Sequence, residues 1–408
     1  MIEKLKRTYK CAAYALSIAI LTGCGTQENT KVSLADRLDD IFKNAEVQAL
    51  HMAETLADDS LTLPRSFEHG KLTTSGPEWW TSGFFPGTLW LIYEQTHNPQ
   101  TLEMAKKYTH RVENEQYTTN NHDIGFMMYC SYGNGLRLTK DSTYVPILVQ
   151  SAKSLSTRFR EKTGVIRSWD QFQDVWQYPV IIDNMMNLEL LFWATKATGD
   201  KRFYDIATTH ANTTMREHFR PDYSCYHVVS YDTISGKPHA KQTNKGCADE
   251  SAWARGQAWA LYGYTMSYRE TNDTTYLNQA INVAEFLLNH PRMPKDGIPY
   301  WDFDAPDIPN VPRDASSAAV IASALLELCQ YTDAENAKKY FSFAEKELEV
   351  LSSDKYTAKE GENGNFILMH SVGNMPINSE IDAPLTYADY YYIEALGRYK
   401  NIYKEFKQ

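Results

Sequence analysis

The alternation of two kinds of helical segment is the sequence feature that most constrains the fold of this chain. One kind is amphipathic: in 334–351 the apolar residues recur with the 3.6-residue period of one helix face. The other kind, such as 316–329 or 185–194, is apolar or small almost all round. Because a helix without a polar face has to be buried on every side, the alternation predicts an inner set of helices surrounded by an outer set.

Twelve helices are predicted, and the amphipathic and buried kinds take turns along the chain. Their predicted ranges are 33–58, 83–97, 100–117, 123–139, 142–159, 183–199, 201–217, 251–270, 273–290, 315–331, 334–352 and 385–403. Six buried helices inside six amphipathic ones form an all-α fold, the (α/α)6 barrel, which is a toroid of six helical hairpins. A stacked solenoid is the alternative, but it does not need half of its helices to be buried on all sides. We therefore predict one domain over 33–408.

The lengths of the loops indicate which end of this barrel carries the function. Connections from an inner helix to the next outer helix are short, at 98–99, 140–141, 200, 271–272 and 332–333. Connections into the inner helices are mostly long, at 59–82, 160–182, 218–250, 291–314 and 353–384. Long ordered loops are commonly functional, and helix N-termini attract anions. An anionic ligand is therefore predicted at the end where the inner helices begin.

The N-terminal residues have the pattern of an export signal. Four cationic residues precede an apolar run, 11–21, which is too short to span a bilayer as a helix. The small residues that follow lead to Cys24 in a pattern, LTGC, that resembles a bacterial lipobox. We expect a lipoprotein signal peptide over 1–23, acylation of Cys24 and a tether over 24–32; an ordinary signal peptide with an incidental cysteine is the alternative. Because Gly25 and not Asp follows the cysteine, the expected location is the outer membrane, facing the periplasm.

Composition excludes several classes of function. The formal net charge of −10 argues against a nucleic-acid binder, which needs a basic face. No apolar stretch reaches about 18 residues, so membrane contact is expected only through the lipid anchor. The four cysteines after Cys24 are spread without a C-x-x-C pattern, which predicts buried thiols and neither a metal site nor a disulfide framework.

Acidic or aromatic residues stand at the starts of five predicted inner helices, in 79–87, 121–126, 181–188, 249–259 and 312–317. Asp is a good helix N-cap, and this role is predicted for Asp249 and Asp314. Asp183 differs because apolar residues flank it on both sides. Burial and a second carboxylate both raise a carboxyl pKa, as a general acid requires, so Asp123 and Asp183 are predicted to be a catalytic pair.

Tryptophans and an arginine fall at or beside the same end. An excess of aromatic residues fits a sugar-stacking surface as well as a large aromatic core. Trp253 and Trp259 are six residues apart and do not share a helix face, so we expect one at the cavity rim and the other in its wall. Arg255 offers a rigid fork for a carboxylate or a pair of hydroxyls.

Four motifs together resemble glycoside hydrolase family 88, the unsaturated glucuronyl hydrolases. They are 121–126 (NHDIGF), 182–188 (IDNMMNL), 253–259 (WARGQAW) and 388–392 (ADYYY), in the order and approximate spacing of that family. The resemblance runs from near residue 40 to the C-terminus. It implies the (α/α)6 barrel and an enzyme that removes a 4,5-unsaturated uronic acid from the non-reducing end of oligosaccharides left by polysaccharide lyases.

The resemblance also implies roles for individual residues. Asp183 is implied to be the general acid/base and Asp123 its essential partner. The substrate is implied to contact Trp80, Trp169, His227, Trp253, Arg255, Trp259, Ser371 and Asn374. His227 stands in the 218–250 loop. Without the resemblance to the family, a lone histidine in such a loop would be interpreted as a surface residue.

Lys245 departs from the family pattern, because some members have Gln at this position. A lysine is a point charge that suits sulfate or a second anionic group, whereas Gln suits a neutral hydroxyl. We therefore expect the substrates to include sulfated glycosaminoglycan disaccharides.

The implied mechanism follows from the substrate, whose C4=C5 bond is a vinyl ether. Asp183 would protonate C4, oxocarbenium character would develop at C5, and a water deprotonated by Asp183 would add at C5. The hemiketal then opens and expels the aglycone without the displacement at C1 that ordinary glycosidases use. No metal or organic cofactor is implied.

Three alternatives stay open at this point. An unsaturated rhamnogalacturonyl hydrolase would share the fold and the chemistry but act on pectin fragments. A non-catalytic sugar-binding lipoprotein would need aromatic platforms but no buried acid. An epimerase on the same barrel would need histidines as its acid and base, and among the motifs only His227 is near enough.

Overall fold

The structure is a computed structural model that describes residues 32–59 and 61–407, and within them twelve α-helices alternate between an outer and an inner position. The outer helices are α1 (Leu34–Thr55), α3 (Pro99–Arg111), α5 (Tyr144–Ser156), α7 (Lys201–Glu217), α9 (Thr274–Asn289) and α11 (Ala334–Leu351). The inner helices are α2 (Phe84–Thr96), α4 (Asn134–Thr139), α6 (Leu188–Thr198), α8 (Ala254–Thr271), α10 (Ala315–Leu328) and α12 (Thr386–Phe406).

The inner helices close into a ring. A π-helix, Gly125–Gly133, leads into α4, and a 3-10 turn, Ile182–Asn187, leads into α6. Each of the six inner segments packs against the next, and α12 packs back on α2. The predicted (α/α)6 barrel is therefore confirmed.

Burial separates the two kinds of helix as the sequence predicts. Every residue of α10 is buried, and α8 is buried continuously from Ala254 to Ser267. By contrast, α1 buries one face, which includes Leu34, Leu38 and Phe42. The helices without a polar face are thus the inner ones, which satisfies their need for burial on all sides.

Several helix boundaries differ from the predicted ones, and two of the differences follow from the local structure. The helix predicted over 100–117 ends at Arg111, and a 3-10 turn over Glu113–Tyr117 completes the segment. The helix predicted over 251–270 begins at Ala254. It starts late because the backbone there pairs with another loop: the Ala254 N–H donates to the Trp301 carbonyl at 3.1 Å.

Nine short strands in the described residues lie in the loops that lead into the inner helices, and no sequence pattern predicts them. They are β1 (Leu63–Glu68), β2 (Lys71–Ser75), β3 (Phe159–Arg160), β4 (Val165–Ile166), β5 (Pro179–Ile181), β6 (Val228–Tyr231), β7 (Pro238–Gln242), β8 (Ser371–Asn374) and β9 (Ser379–Ala383). All of their pairings are antiparallel, and β5, β6 and β7 form a three-stranded sheet. Strands of two to six residues are too short to show a clear alternation of apolar and polar residues.

The expected signal peptide over 1–23, the acylation site Cys24 and the tether up to residue 31 lie outside the described residues. Among the described helices, none is long and apolar enough to cross a membrane.

Candidate active site

One hydrogen bond joins the two helical turns that carry the predicted catalytic aspartates. Asp123 lies just before the π-helix, and Asp183 lies in the 3-10 turn before α6. The side-chain oxygen of Asn187 accepts a hydrogen bond of 2.8 Å from the backbone N–H of Phe126. Gly125 permits this approach, because a Cβ at that position would lie 2.6 Å from the Cα of Asn187. The two motifs therefore lock together and bring their carboxylates into one site.

Both carboxyl groups have raised pKa values, and burial is the main cause. Asp183 is 3% exposed, and burial raises its pKa while the charges of Lys245 and Arg255 oppose the shift. Burial raises the pKa of Asp123 to about 7, the negative charge of Asp183 adds to the shift, and Lys245 opposes it. The pair can therefore hold a proton at neutral pH, as a general acid must.

His227 is a hydrogen-bond donor aimed at Asp183. Its carbonyl accepts a hydrogen bond of 3.1 Å from Ile182, where β5 ends beside β6. Its Nδ1 atom accepts from the backbone N–H groups of Asn244 at 3.0 Å and Lys245 at 3.2 Å, so the proton of the neutral ring is on Nε2. That atom lies 3.7 Å from Oδ2 of Asp183. Burial lowers the pKa of His227 well below its usual range, which keeps the ring neutral.

A second buried histidine, His122, stands beside the other aspartate and is not among the predicted site residues. Its Nε2 atom lies 3.3 Å from Oδ1 of Asp123, and its Nδ1 atom lies 3.4 Å from the hydroxyl of Ser168. Burial lowers the pKa of His122 well below its usual range. Its position directly before Asp123 in the 121–126 motif is the signal that could have indicated it.

Lys245 reaches this site from the loop before α8. Its Nζ atom lies 5.1 Å from the centre of the Trp80 ring and 5.5 Å from that of Trp253. Its charge lowers the pKa of both Asp123 and Asp183, whereas burial lowers the pKa of Lys245 itself and the two carboxylates oppose that shift. The site therefore contains one ammonium group held between two indole rings.

The guanidinium of Arg255 faces the protein. It donates to Oδ2 of Asp314 at 3.0 Å, to the carbonyl of Gly373 at 2.7 Å and to the carbonyl of Val372. The residue is fully buried, and its Nε has no hydrogen-bond partner among the described residues. β8 and the start of α10 therefore occupy Nη1 and Nη2 of Arg255, and its contact with substrate stays a prediction.

The two aspartates predicted as N-caps have different roles. Oδ1 of Asp314 accepts a hydrogen bond of 3.1 Å from the Ser316 N–H and caps α10, as predicted. Oδ1 of Asp249 accepts instead from the Thr243 N–H at 3.0 Å, within the loop. The prediction for Asp249 is wrong because α8 begins at Ala254, beyond its reach.

Trp253 and Trp169 flank His227. The ring centres of Trp253 and His227 are 4.7 Å apart, and those of Trp169 and His227 are 6.4 Å apart. Trp253 is buried at the start of α8, whereas Trp169 is half-buried. Trp253 and Trp259 are both buried. Neither of them therefore forms the exposed cavity rim that is expected of one of the two.

Trp80 and Trp259 form the aromatic base of the site. Trp80 packs on Tyr387, with ring centres 5.0 Å apart. Trp259 packs on Phe126 at 5.3 Å and on Tyr391 at the same distance. The guanidinium carbon of Arg255 lies 5.2 Å from the centre of the Tyr387 ring. Tyr387 is not among the predicted site residues.

Several expected site residues present buried polar atoms that have no hydrogen-bond partner among the described residues. These atoms are Oδ2 of Asp183, Nε2 of His227, Nε1 of Trp259, Oγ of Ser371 and Oδ1 of Asn374. Ser371 and Asn374 belong to β8, the strand that Arg255 holds against α10. Because buried polar atoms are normally paired, this set can accommodate a ligand rich in hydroxyl and carboxylate groups.

One cavity of the barrel does not include either of the two aspartates among its lining residues. Its volume is about 810 Å³, and its lining includes the charged residues Glu94, Arg137, Glu189 and Arg269. These charges pair with each other, Arg137 with Glu94 and Arg269 with Glu189. This cavity is therefore not the site that holds the two aspartates.

Within the described part of the chain, no group of three or more His, Cys, Asp or Glu side chains could hold a metal ion. The described cysteines are free thiols. Three are buried, as predicted, and Cys247 is partly exposed.

Comparison with known proteins gives the same fold and family. The family model of Glycosyl Hydrolase Family 88 matches residues 60–401. An unsaturated glucuronyl hydrolase of Formosa agariphila is 52% identical over 324 residues, 79% of this chain and 80% of that protein. An unsaturated chondroitin disaccharide hydrolase of Streptococcus agalactiae is 29% identical over 375 residues, 91% of this chain and 92% of that protein.

Solved structures agree with these matches. An unsaturated glucuronyl hydrolase specific for heparin superposes with a TM-score of 0.88 at 52% identity, covering 90% of this chain and 98% of that one. The enzyme from Bacillus sp. GL1 superposes with a TM-score of 0.81 at 30% identity, covering 88% and 96%. The chain therefore belongs to glycosyl hydrolase family 88, as the motifs indicate, and it is a glycoside hydrolase.

Proposed function

We propose that this enzyme removes the 4,5-unsaturated uronic acid from the non-reducing end of glycosaminoglycan oligosaccharides. The observation that carries the proposal is the buried Asp123–Asp183 pair with raised pKa values, faced by the neutral His227 donor. The names of its relatives support the same substrate class, since they include glucuronyl and chondroitin disaccharide hydrolases.

The geometry supports a hydration mechanism in which Asp183 acts twice. Its protonated carboxyl would deliver a proton to C4 of the vinyl ether, and the resulting carboxylate would accept a proton from the water that adds at C5. The Nε2–H of His227, 3.7 Å from Oδ2 of Asp183, and the indole N–H of Trp259, which lowers the pKa of that carboxyl, would stabilise the carboxylate, while burial favours the return of the proton. The hemiketal formed at C5 then opens and releases the aglycone.

The test uses the ultraviolet absorbance of the conjugated alkene, which hydration destroys. Unsaturated disaccharides from heparin, chondroitin and rhamnogalacturonan lyases would be offered to the purified enzyme. We expect loss of absorbance with the glycosaminoglycan products. Consumption of the rhamnogalacturonan product alone would identify the pectin-acting alternative, and binding without loss of absorbance would identify a sugar-binding protein.

We propose that Lys245 extends this specificity to sulfated substrates. Its ammonium group stands between Trp80 and Trp253 and forms no salt bridge with the described residues. A sulfate there would attract the ammonium group and offset the repulsion that Lys245 experiences from Arg255. A related enzyme from Streptococcus agalactiae, 26% identical, has been solved with the sulfated disaccharide dGlcA-GalNAc6S, which supports a sulfated substrate.

We propose that the protein is an exported lipoprotein of the outer membrane that faces the periplasm. The support is the LTGC sequence ending at Cys24 and the Gly25 that follows it. Cell fractionation tests this location: the wild-type protein should sediment with membranes, and Cys24→Ser should release it. Retention of the Cys24→Ser protein in the membrane fraction would contradict lipid anchoring at this residue.

A further inference from the structure

A line of four rings, in which His227 is the neighbour of Asp183, leads to the protein surface. It consists of Trp253, His227, Trp169 and Phe172, with successive ring centres 4.7, 6.4 and 6.1 Å apart. Exposure increases along the line: Trp253 is 2% exposed, Trp169 is half-buried, and Phe172 is 48% exposed. We call these four residues the aromatic line.

Phe172 is the member of this line that packing does not explain. Its ring contacts Trp169 and Trp176 edge-on, but about half of the side chain remains in water. Its backbone has a φ of 60°, which is unfavourable for a bulky residue. The turn that holds this conformation is closed by hydrogen bonds from Val175 and Trp176 to the Phe172 carbonyl, at 3.0 and 2.8 Å. The loop thus adopts a strained conformation and leaves an aromatic ring partly exposed.

Strained conformations are concentrated at binding and catalytic sites, where the rest of the structure maintains them. The position of Phe172 fits this interpretation because Trp169, a residue of the candidate site, lies directly between it and His227. Val175, which is also exposed, extends the apolar surface beside it. A planar apolar ring beside the site for the uronic acid can stack on the C–H face of a further sugar ring.

We propose that Phe172 forms an outer subsite that binds a sugar beyond the first two of a longer unsaturated oligosaccharide. The inference rests on the proposed function and deepens it. The uronic acid would lie at Asp183, the next sugar would lie towards Trp169, and the following sugar would stack on Phe172. The enzyme would therefore bind tetrasaccharides more tightly than disaccharides of the same composition.

The kinetic test compares an unsaturated disaccharide with a tetrasaccharide from the same heparin lyase digest. Phe172→Ala should raise KM for the tetrasaccharide about fivefold and leave the disaccharide constants unchanged, because only the longer substrate reaches the ring. Phe172→Tyr should retain the wild-type preference. Tyr223→Ala is the matched control, since Tyr223 is also an exposed aromatic residue, 39% exposed with a φ of 69°, and lies outside the aromatic line.

A binding measurement separates this inference from the proposed function. Calorimetry with Asp183→Asn and with the double variant Asp183→Asn/Phe172→Ala would give the affinity for the tetrasaccharide without turnover. Weaker binding by the double variant supports the subsite, and equal affinity contradicts it. Failure of the wild-type enzyme to consume either oligosaccharide would instead contradict the proposed function. An equal rise in KM for both substrates with Phe172→Ala would show that the ring acts only by supporting Trp169 and would overturn the inference.

Discussion

Nε2 of His227 lies 3.7 Å from Oδ2 of Asp183, and two backbone N–H groups bound to Nδ1 place the ring proton on the nitrogen that faces the carboxylate. This relationship places a neutral donor beside an acid whose pKa burial raises. Burial favours the protonated form of Asp183, and the donor stabilises the carboxylate that remains after the proton has left. The opposing effects suit a residue that has to give up a proton and regain it in one cycle.

His227→Ala should therefore lower kcat by about 10-fold to 100-fold, because the variant loses the donor that would bond to the Asp183 carboxylate formed during the reaction, and hydrogen bonds to charged groups contribute about 1.5–3 kcal/mol. Steady-state kinetics on an unsaturated disaccharide provide the measurement. His239→Ala serves as a control, since His239 is an exposed residue of the same loop. An unchanged kcat with a raised KM would mean that His227 only binds substrate.

The pH dependence follows from the raised pKa of Asp123, which is about 7. At pH values between the ordinary carboxyl pKa of about 4 and this raised pKa, Asp123 holds a proton in the folded protein and releases it in the unfolded chain. The free energy of unfolding should therefore fall as the pH rises through this window, and Asp123→Asn should remove that part of the decline. Urea denaturation at about pH 5 and about pH 8 tests this. Asp389 and Glu189 also have pKa values raised to about 7, and they contribute to the decline in both proteins. The difference between the wild type and Asp123→Asn therefore isolates the contribution of Asp123.

Arg255→Lys should destabilise the protein as well as inactivate it. A lysine cannot bond to Asp314 and to the β8 carbonyls together, and breaking a buried ion pair costs about 3–5 kcal/mol. Thermal unfolding of the variant should show a clearly lower Tm. Wild-type stability with only a raised KM would indicate that the fork serves the substrate after all.

Lys245→Gln should raise KM more for a sulfated disaccharide than for its unsulfated counterpart. The reason is the loss of an ammonium charge that stands free between two indole rings. The difference should shrink at high salt if the sulfate remains in contact with solvent, because Lys245 is half-buried and salt screens such a contact. Lys237→Gln, which changes an exposed lysine of the same loop, is the control. Equal effects on both substrates would show that Lys245 does not recognise sulfate.

The sequence predicts the barrel and its functional end because both depend on strong local patterns. Inner helices such as α10 lack a polar face over their whole length, and Asp183 stands among apolar residues directly before such a helix. The orientation of Arg255 could not be predicted in this way, since its partners in β8 are distant in sequence and belong to a strand too short to recognise. The same holds for His227, whose position depends on the pairing of β6 with β5.

The incorporation of deuterium at C4 tests the central claim most directly. If the enzyme hydrates the C4=C5 bond, a reaction run in heavy water should yield a uronic acid product that carries deuterium at C4, as nuclear magnetic resonance would show. Asp183→Asn should slow this incorporation at least ~100-fold together with turnover, because it removes the general acid. A product released at normal rates without label at C4 would indicate direct displacement at C1 and would contradict the mechanism.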